Sequence, residues 1–103
     1  GGVMKTHTKG PWRVNERLLA IVSDEPCTDI LGAENVEHYG GYLIAESIAP
    51  RNLSIIAAAP EMYEAIAAIA TAMNLGYIPN EILSEGSPIL EGLRAAIAKA
   101  EGK

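Results

Sequence analysis

The run from 52 to 66, Asn-Leu-Ser-Ile-Ile-Ala-Ala-Ala-Pro-Glu-Met-Tyr-Glu-Ala-Ile, constrains this chain more than any other stretch. It reads as one short helix leading into a second, with Pro60 at the joint. Proline fits the first turn of a helix, where its missing N–H has no intrahelical partner to lose. Asn52 is suited to cap the first helix, which is expected to run through Ala59. Glu61 and Glu64 then sit near the positive end of the next helix dipole. Ile55, Met62, Ile66, Ile69 and Met73 recur at helical spacing, and the core is expected on that stripe. Gly76 can take the left-handed position that ends the helix. Ser87-Pro88 opens a last helix by the same chemistry, Ser as cap and Pro in the first turn. Its inward stripe is expected to be Leu90, Leu93, Ile97 and Ala100, with Glu91, Arg94, Lys99 and Glu101 on the wet side.

Before residue 50 the pattern is different. Short β-like runs at 11–14, 18–22, 29–33 and 42–47 alternate with turn formers. Residues 15–17 read as a hairpin connection, 23–28 as a polar loop, and 34–41 as a turn or exposed tip ending in Gly40-Gly41. The expected fold is α+β: a small N-terminal antiparallel sheet of three or four strands packed against a C-terminal helical hairpin. One domain is expected for 103 residues, with a flexible arm over 1–10, the sheet over 11–48 and the helices over 51–102. Met4 is the expected initiator.

A chain of this size buries roughly 65% of its unfolded surface, which makes a modest core. The hydrophobic fraction is 49%, but much of it is alanine, with no Phe and a single Trp. Self-association is therefore expected, as a dimer or higher homo-oligomer. Alanine faces also let helices approach closely. Cys27 is the only cysteine, so no internal disulfide forms, which fits a reducing cytoplasm. The apolar run 53–75 is interrupted by Pro60, Glu61 and Glu64, and no membrane span is expected from it.

The net charge is −5, unevenly spread. Lys5, Lys9, Arg13 and Arg17 face a single acid, Glu16, in the first 17 residues. Residues 18–49 carry Asp24, Glu25, Asp29, Glu34, Glu37 and Glu46 and no Lys or Arg. A binder of long nucleic acid is usually basic over a whole face, so that class is not expected. A small anionic ligand remains compatible with the basic N-terminal edge.

Catalytic signatures are missing. His7, His38 and Cys27 have no metal-ligand spacing. Cys27 lies among Asp24, Glu25 and Asp29, a setting that disfavours the thiolate. The acidic residues lack the alternation of a calcium loop, and the glycines form no phosphate loop. No cofactor and no enzymatic activity are expected. The best candidate surface is His7, Lys9, Trp12 and Arg13, which place an imidazole, an ammonium, an indole and a guanidinium within seven residues. Trp and Arg can stack on a base, and the cations can meet phosphate. Tyr39 and Tyr42 flank Gly40-Gly41 and could line the same surface. Arg51 and Asn52 stand at a helix start, where an anion is readily received. The competing reading makes Trp12 the anchor of the core.

Three stretches carry a resemblance: His7-Thr8-Lys9-Gly10-Pro11-Trp12, Tyr42-Leu43-Ile44-Ala45-Glu46, and the run from Asn52 to Ile66. Together they resemble small phage and prophage proteins with an opening His-Thr-x-Gly-Pro-Trp and an Asn-x-x-x-Ile-Ala-Ala-Ala-Pro-Glu helix joint. The likeness spans roughly residues 7–70. The chain departs from it at Met62-Tyr63, where Leu-Leu is usual, and at Lys9, often Pro. The resemblance implies a phage accessory protein acting in the cytoplasm of a bacterial host, and it assigns no catalytic residue. The expectation is a non-enzymatic protein that counters host antiviral defence by binding, sequestering a small nucleotide signal at a subunit interface. The alternative is a protein–protein inhibitor or adaptor that meets a host protein through the acidic surface 24–37.

Overall fold

The computed structural model describes residues 7–26 and 36–103. The chain forms two compact units, Gly1–Leu53 and Ser54–Lys103.

The first unit is built on a three-stranded antiparallel sheet. Strands β1 (Trp12–Asn15), β2 (Ala20–Ser23) and β3 (Tyr42–Ala45) lie in that order, with β2 in the centre. Ile21 and Val22 are β-branched and suit a pleated, packed surface. All four residues of β2 are buried. Together with Leu43, Ile48 and Leu53 they make the core of this unit. The expected strand at 18–22 starts later than its sequence suggests. The Asn15 side chain accepts a hydrogen bond from the Leu18 N–H at 3.3 Å, and Leu19 takes a left-handed φ of 52°. That side-chain contact bends residues 16–19 into a turn, so pairing begins with Asn15 opposite Ala20. Within 34–41, residues Val36–Tyr39 form a single helical turn, α1. The N–H groups of Gly40 and Gly41 both donate to the Val36 carbonyl and close it. The expected strand at 29–33 lies outside the described residues.

A 3-10 turn at Pro50–Asn52 leads into α2 (Leu53–Ala57) and then α3 (Ala59–Asn74). Asn52 closes the 3-10 turn through its own N–H to the Ala49 carbonyl, and its side chain makes no cap. The joint falls where Pro60 predicts. Ala58 donates to the Ser54 carbonyl and accepts from the Met62 N–H, so it closes one helix and opens the next. Pro60, in the first turn of α3, forfeits no bond there. The run Pro50–Asn74 is 25 residues and contains an 18-residue window with a mean hydropathy of 1.4, long and apolar enough to cross a membrane by length and composition. That corrects the expectation that Pro60 and the two glutamates interrupt it. Glu61 and Glu64 near its middle still disfavour a span, since an acidic side chain at a bilayer centre costs about 3 kcal/mol.

Helix α3 ends as expected. Gly76 has a φ of +98°, its N–H bonds to the Met73 carbonyl, and the Tyr77 N–H bonds to the Ala72 carbonyl. A left-handed residue is required to turn the chain so that both late carbonyls are satisfied. A short helix α4 (Pro79–Ile82) follows. Helix α5 (Pro88–Ala100) opens on Ser87, whose hydroxyl accepts from the Ile89 and Leu90 N–H groups and donates to the Ile82 carbonyl.

Helices α3 and α5 pack as an antiparallel pair. Lys99, in the last turn of α5, reaches both carboxylate oxygens of Glu61 in the first turn of α3, at 2.9 Å each. Lys99 was expected on the wet side; it is only 32% exposed. The buried positions are Pro60, Ala65 and Ala72 on α3 and Ala96 on α5. The stripe expected to be core is instead largely uncovered: Ile55 is 50% exposed, Ile66 66% and Met73 52%. On α5, Ile97 is likewise exposed and Ala96 takes the inward place. Two helices that meet through alanine bring their backbones close, and that contact excludes the larger side chains from the seam.

Gly92 lies inside α5, and a Cβ built there meets nothing within 4 Å. Glycine in a helix interior costs about 1 kcal/mol relative to alanine. Gly92→Ala is therefore expected to raise unfolding stability by about 0.5–1 kcal/mol, read as a higher midpoint in urea. A lower midpoint would mean that the open space is not there.

Candidate functional site

The sheet brings Trp12 and Tyr42 to one face. Trp12 pairs with Ser23 across β1–β2, and Ser23 pairs with Tyr42 across β2–β3. Directly opposed residues share a face, so the three form a row. Two strand spacings put the outer two backbones roughly 10 Å apart. Trp12 is intermediate in exposure and lies outside the fully buried set. Its Nε1–H donates to the Thr8 carbonyl at 3.0 Å, and the His7 ring meets it edge-on at 6.3 Å. The buried Ser23 hydroxyl donates to the Lys9 carbonyl at 3.3 Å. Residue 9 is thereby tied to the middle of the row and residue 8 to its Trp12 end, next to the cis Gly10–Pro11 bond.

Arg13, one residue on, is committed elsewhere. Its Nη2 donates to Asp24 Oδ1 at 2.6 Å and to the Gly40 carbonyl at 2.9 Å. An anion arriving at Arg13 must compete with the Asp24 carboxylate, although the side chain is still 47% exposed. Lys9 is exposed, and its ammonium has no partner among the described residues. Arg51 is exposed at the 3-10 turn, and no hydrogen bond or ion pair joins it to the other candidates among the described residues.

Tyr39 sits at the end of α1. Its carbonyl accepts from Asn15 Nδ2 at 2.9 Å, its hydroxyl donates to Glu46 Oε2 at 3.0 Å, and the His38 ring stands edge-on to it at 4.8 Å. The hydrogen bond to Glu46 stabilises the neutral phenol and holds the Tyr39 pKa above its ordinary value. The structure therefore joins His7, Lys9, Trp12 and Tyr42 into one neighbourhood and links Arg13 to the Gly40 end of α1. Asn15, Ser23 and Glu46 organise this surface, and local sequence pattern gave no hint of them. Their roles depend on pairing across strands.

Among the described residues no three His, Cys, Asp or Glu side chains converge as a metal site. Of the acidic surface 24–37, Asp24 is held by Arg13 and Glu37 is exposed; residues 27–35 lie outside the described residues.

The second unit carries two grooves that the sequence did not announce. One, of about 360 Å³, lies between α3 and α5 and is lined by Glu61, Glu64, Ala65, Ala68, Gly92 and Ala95, with Pro88 and Ile89. The other, of about 240 Å³, lies between the end of α3 and α4, beside Tyr77, Glu81 and Ser87. Neither is lined by any of the eight candidates from the first unit.

A family model described as Salmonella phage P22 protein Y8K6 matches residues 4–103. No curated protein and no solved structure matches the chain.

Proposed function

The chain belongs to this phage protein family, and from that premise we propose a non-enzymatic accessory protein that counters host antiviral defence by binding a small anionic nucleotide. The observation that carries the reading is the state of Trp12. Trp12 is partly exposed on an outer strand of the described sheet and pinned through its own N–H, with Tyr42 on the same face and, close in sequence, a Lys9 ammonium that has no partner among the described residues. A fixed, partly open indole is a stacking platform for a base, and a neighbouring ammonium suits phosphate. Tyr39, Arg13, Arg51 and Asn52 would widen the surface; a second copy of the chain would complete it at a subunit interface. Sequestration needs no catalytic group, and a bacterial cytoplasm is where such a signal is met.

Isothermal titration against a panel of cyclic oligonucleotides and ADP-ribose derivatives tests this. At least one is expected to bind, and Trp12→Ala is expected to weaken it by about 10- to 100-fold, the worth of one stacked base. Silence across the panel would remove the reading. Unchanged affinity in Trp12→Ala would move the site off the sheet.

A further inference from the structure

We infer that the ligand of this surface carries a terminal phosphate, which takes Arg13 by displacing the Asp24 carboxylate from it; the inference rests on the nucleotide-binding reading above. The antiparallel pairing gathers the parts. Trp12 opens β1, Ser23 closes β2 and Tyr42 opens β3, and the three are cross-strand partners. Asp24 and Gly40 stand just beyond that row, and the Lys9 carbonyl is tied to Ser23 within it. Arg13 alternates to the face opposite Trp12. Its guanidinium nevertheless reaches this same end of the sheet, where it meets Asp24 and the Gly40 carbonyl. Gly41 makes room for it, since a Cβ there would stand 3.0 Å from Nη2. A base stacked on Trp12 and a phosphate on Arg13 thus share one end of the sheet.

The guanidinium is held by one nitrogen. It has two edges that grip an oxyanion bidentately, Nε–Nη2 and Nη1–Nη2, and both need Nη2. Nη2 already donates to Asp24 Oδ1 at 2.6 Å and to the Gly40 carbonyl at 2.9 Å, while Nε and Nη1 make no hydrogen bond among the described residues. An arriving oxyanion must therefore free Nη2 from one of the two. The Gly40 carbonyl is fixed by the backbone, because the Gly40 and Gly41 N–H groups close α1 on the Val36 carbonyl. Asp24 is the partner that yields. Its side chain is 80% exposed, and an exposed ion pair is weak. The Gly40 contact then keeps the guanidinium in place while the carboxylate swings out. Such an exchange selects its ligand. A phosphodiester carries one negative charge, as the carboxylate does, and replacing one with the other gains little. A phosphomonoester carries about −1.5 to −2 at pH 7 and three strong acceptor oxygens. It exceeds Asp24 in charge, and it fills the fork that Asp24 holds by a single oxygen.

Isothermal titration of the full chain with AMP and cyclic AMP, which share a base and differ in phosphate charge, tests this. The unaltered chain is expected to bind AMP at least about fivefold more tightly than cyclic AMP. Asp24→Asn keeps the shape of the side chain and removes its charge, and it is expected to tighten AMP binding about two- to fivefold, the worth of an exposed ion pair. Arg13→Gln is expected to weaken AMP at least about 10-fold and to abolish the preference. Adding Asp24→Asn to Arg13→Gln should then change nothing, because no guanidinium is left to release. Both side chains are largely exposed, so the far-UV circular dichroism spectrum should persist. If Arg13→Gln loses it, Arg13→Lys, which keeps the charge without the fork, reads the same contact. Equal tightening by Asp24→Asn with and without Arg13 overturns the inference, since Asp24 then acts only as a like charge at a distance. Equal affinity for AMP and cyclic AMP overturns it as well, and leaves the nucleotide reading standing. If AMP, cyclic AMP and the wider panel are all silent, inorganic pyrophosphate separates the two claims. Pyrophosphate binding that Asp24→Asn tightens supports the exchange at Arg13 without a base on Trp12, and silence in both proteins sinks the exchange too.

Discussion

Ile21→Ala is expected to lower unfolding stability by about 2–4 kcal/mol, the largest loss of any single truncation in this chain. Ile21 is 0% exposed in the central strand. It stands opposite Val14 on one side and Ala45 on the other, where the β2–β3 register shifts. Removing three carbons leaves a void that both neighbouring strands line, and a small sheet cannot close it without breaking its pairing. Domains of this size hold only about 5–15 kcal/mol in reserve. A melting point lower by about 10–20 °C should follow, read by circular dichroism. The informative control is Ile66→Ala at a concentration where the chain is monomeric. Ile66 is 66% exposed, and its truncation should cost no more than about 0.5 kcal/mol. Equal losses at the two positions would mean that the core has been misplaced. A loss at Ile21 below about 1 kcal/mol would say the same.

The second large effect is expected at Gly41, where alanine should cost about 2 kcal/mol and valine more. Gly41 is buried between α1 and β3. A Cβ there would stand 3.0 Å from the Ser23 carbonyl oxygen, 3.0 Å from Arg13 Nη2 and 3.1 Å from Val22 Cβ. The carbonyl belongs to the backbone of β2 and cannot move without opening the β2–β3 pairing. The guanidinium can move only by leaving Asp24 and the Gly40 carbonyl. Urea denaturation of Gly41→Ala beside Gly92→Ala makes the test sharp, because the same methyl group should act with opposite sign at the two sites. A neutral Gly41→Ala would show that β3 does not approach β2 this closely. Since Arg13 borders the proposed ligand surface, that variant also reports whether the Arg13–Asp24 pair matters for binding.

Much of the second unit was legible because its signals are local. Ser87 and Pro88 specify a helix start within four residues, since the hydroxyl and the N–H groups it satisfies are adjacent along the chain. Gly76 and Pro60 act in the same short range. The four-residue turn before β2 was not read correctly, although its cause, the Asn15 side chain, lies next to it. The aliphatic stripe of α3 was visible, and its identification as core was not sound. A helix that is apolar nearly all round offers two faces, and periodicity finds a face without saying which neighbour covers it.

The candidate surface shows the same division. A tryptophan beside cations was plain in the sequence, but its place on an outer strand of the described sheet depended on which residues sit across from it. Taken alone, the amino-acid order determined the α+β succession of elements, the helix caps and the joint at Pro60, because each is written in contacts between residues a few places apart. Only the tertiary structure decided that alanines and not isoleucines fill the α3–α5 seam, that Trp12 shares a face with Tyr42, and that Arg13 is spent on Asp24. Those outcomes turn on groups far apart in the chain that compete for the same space, and no local rule ranks them.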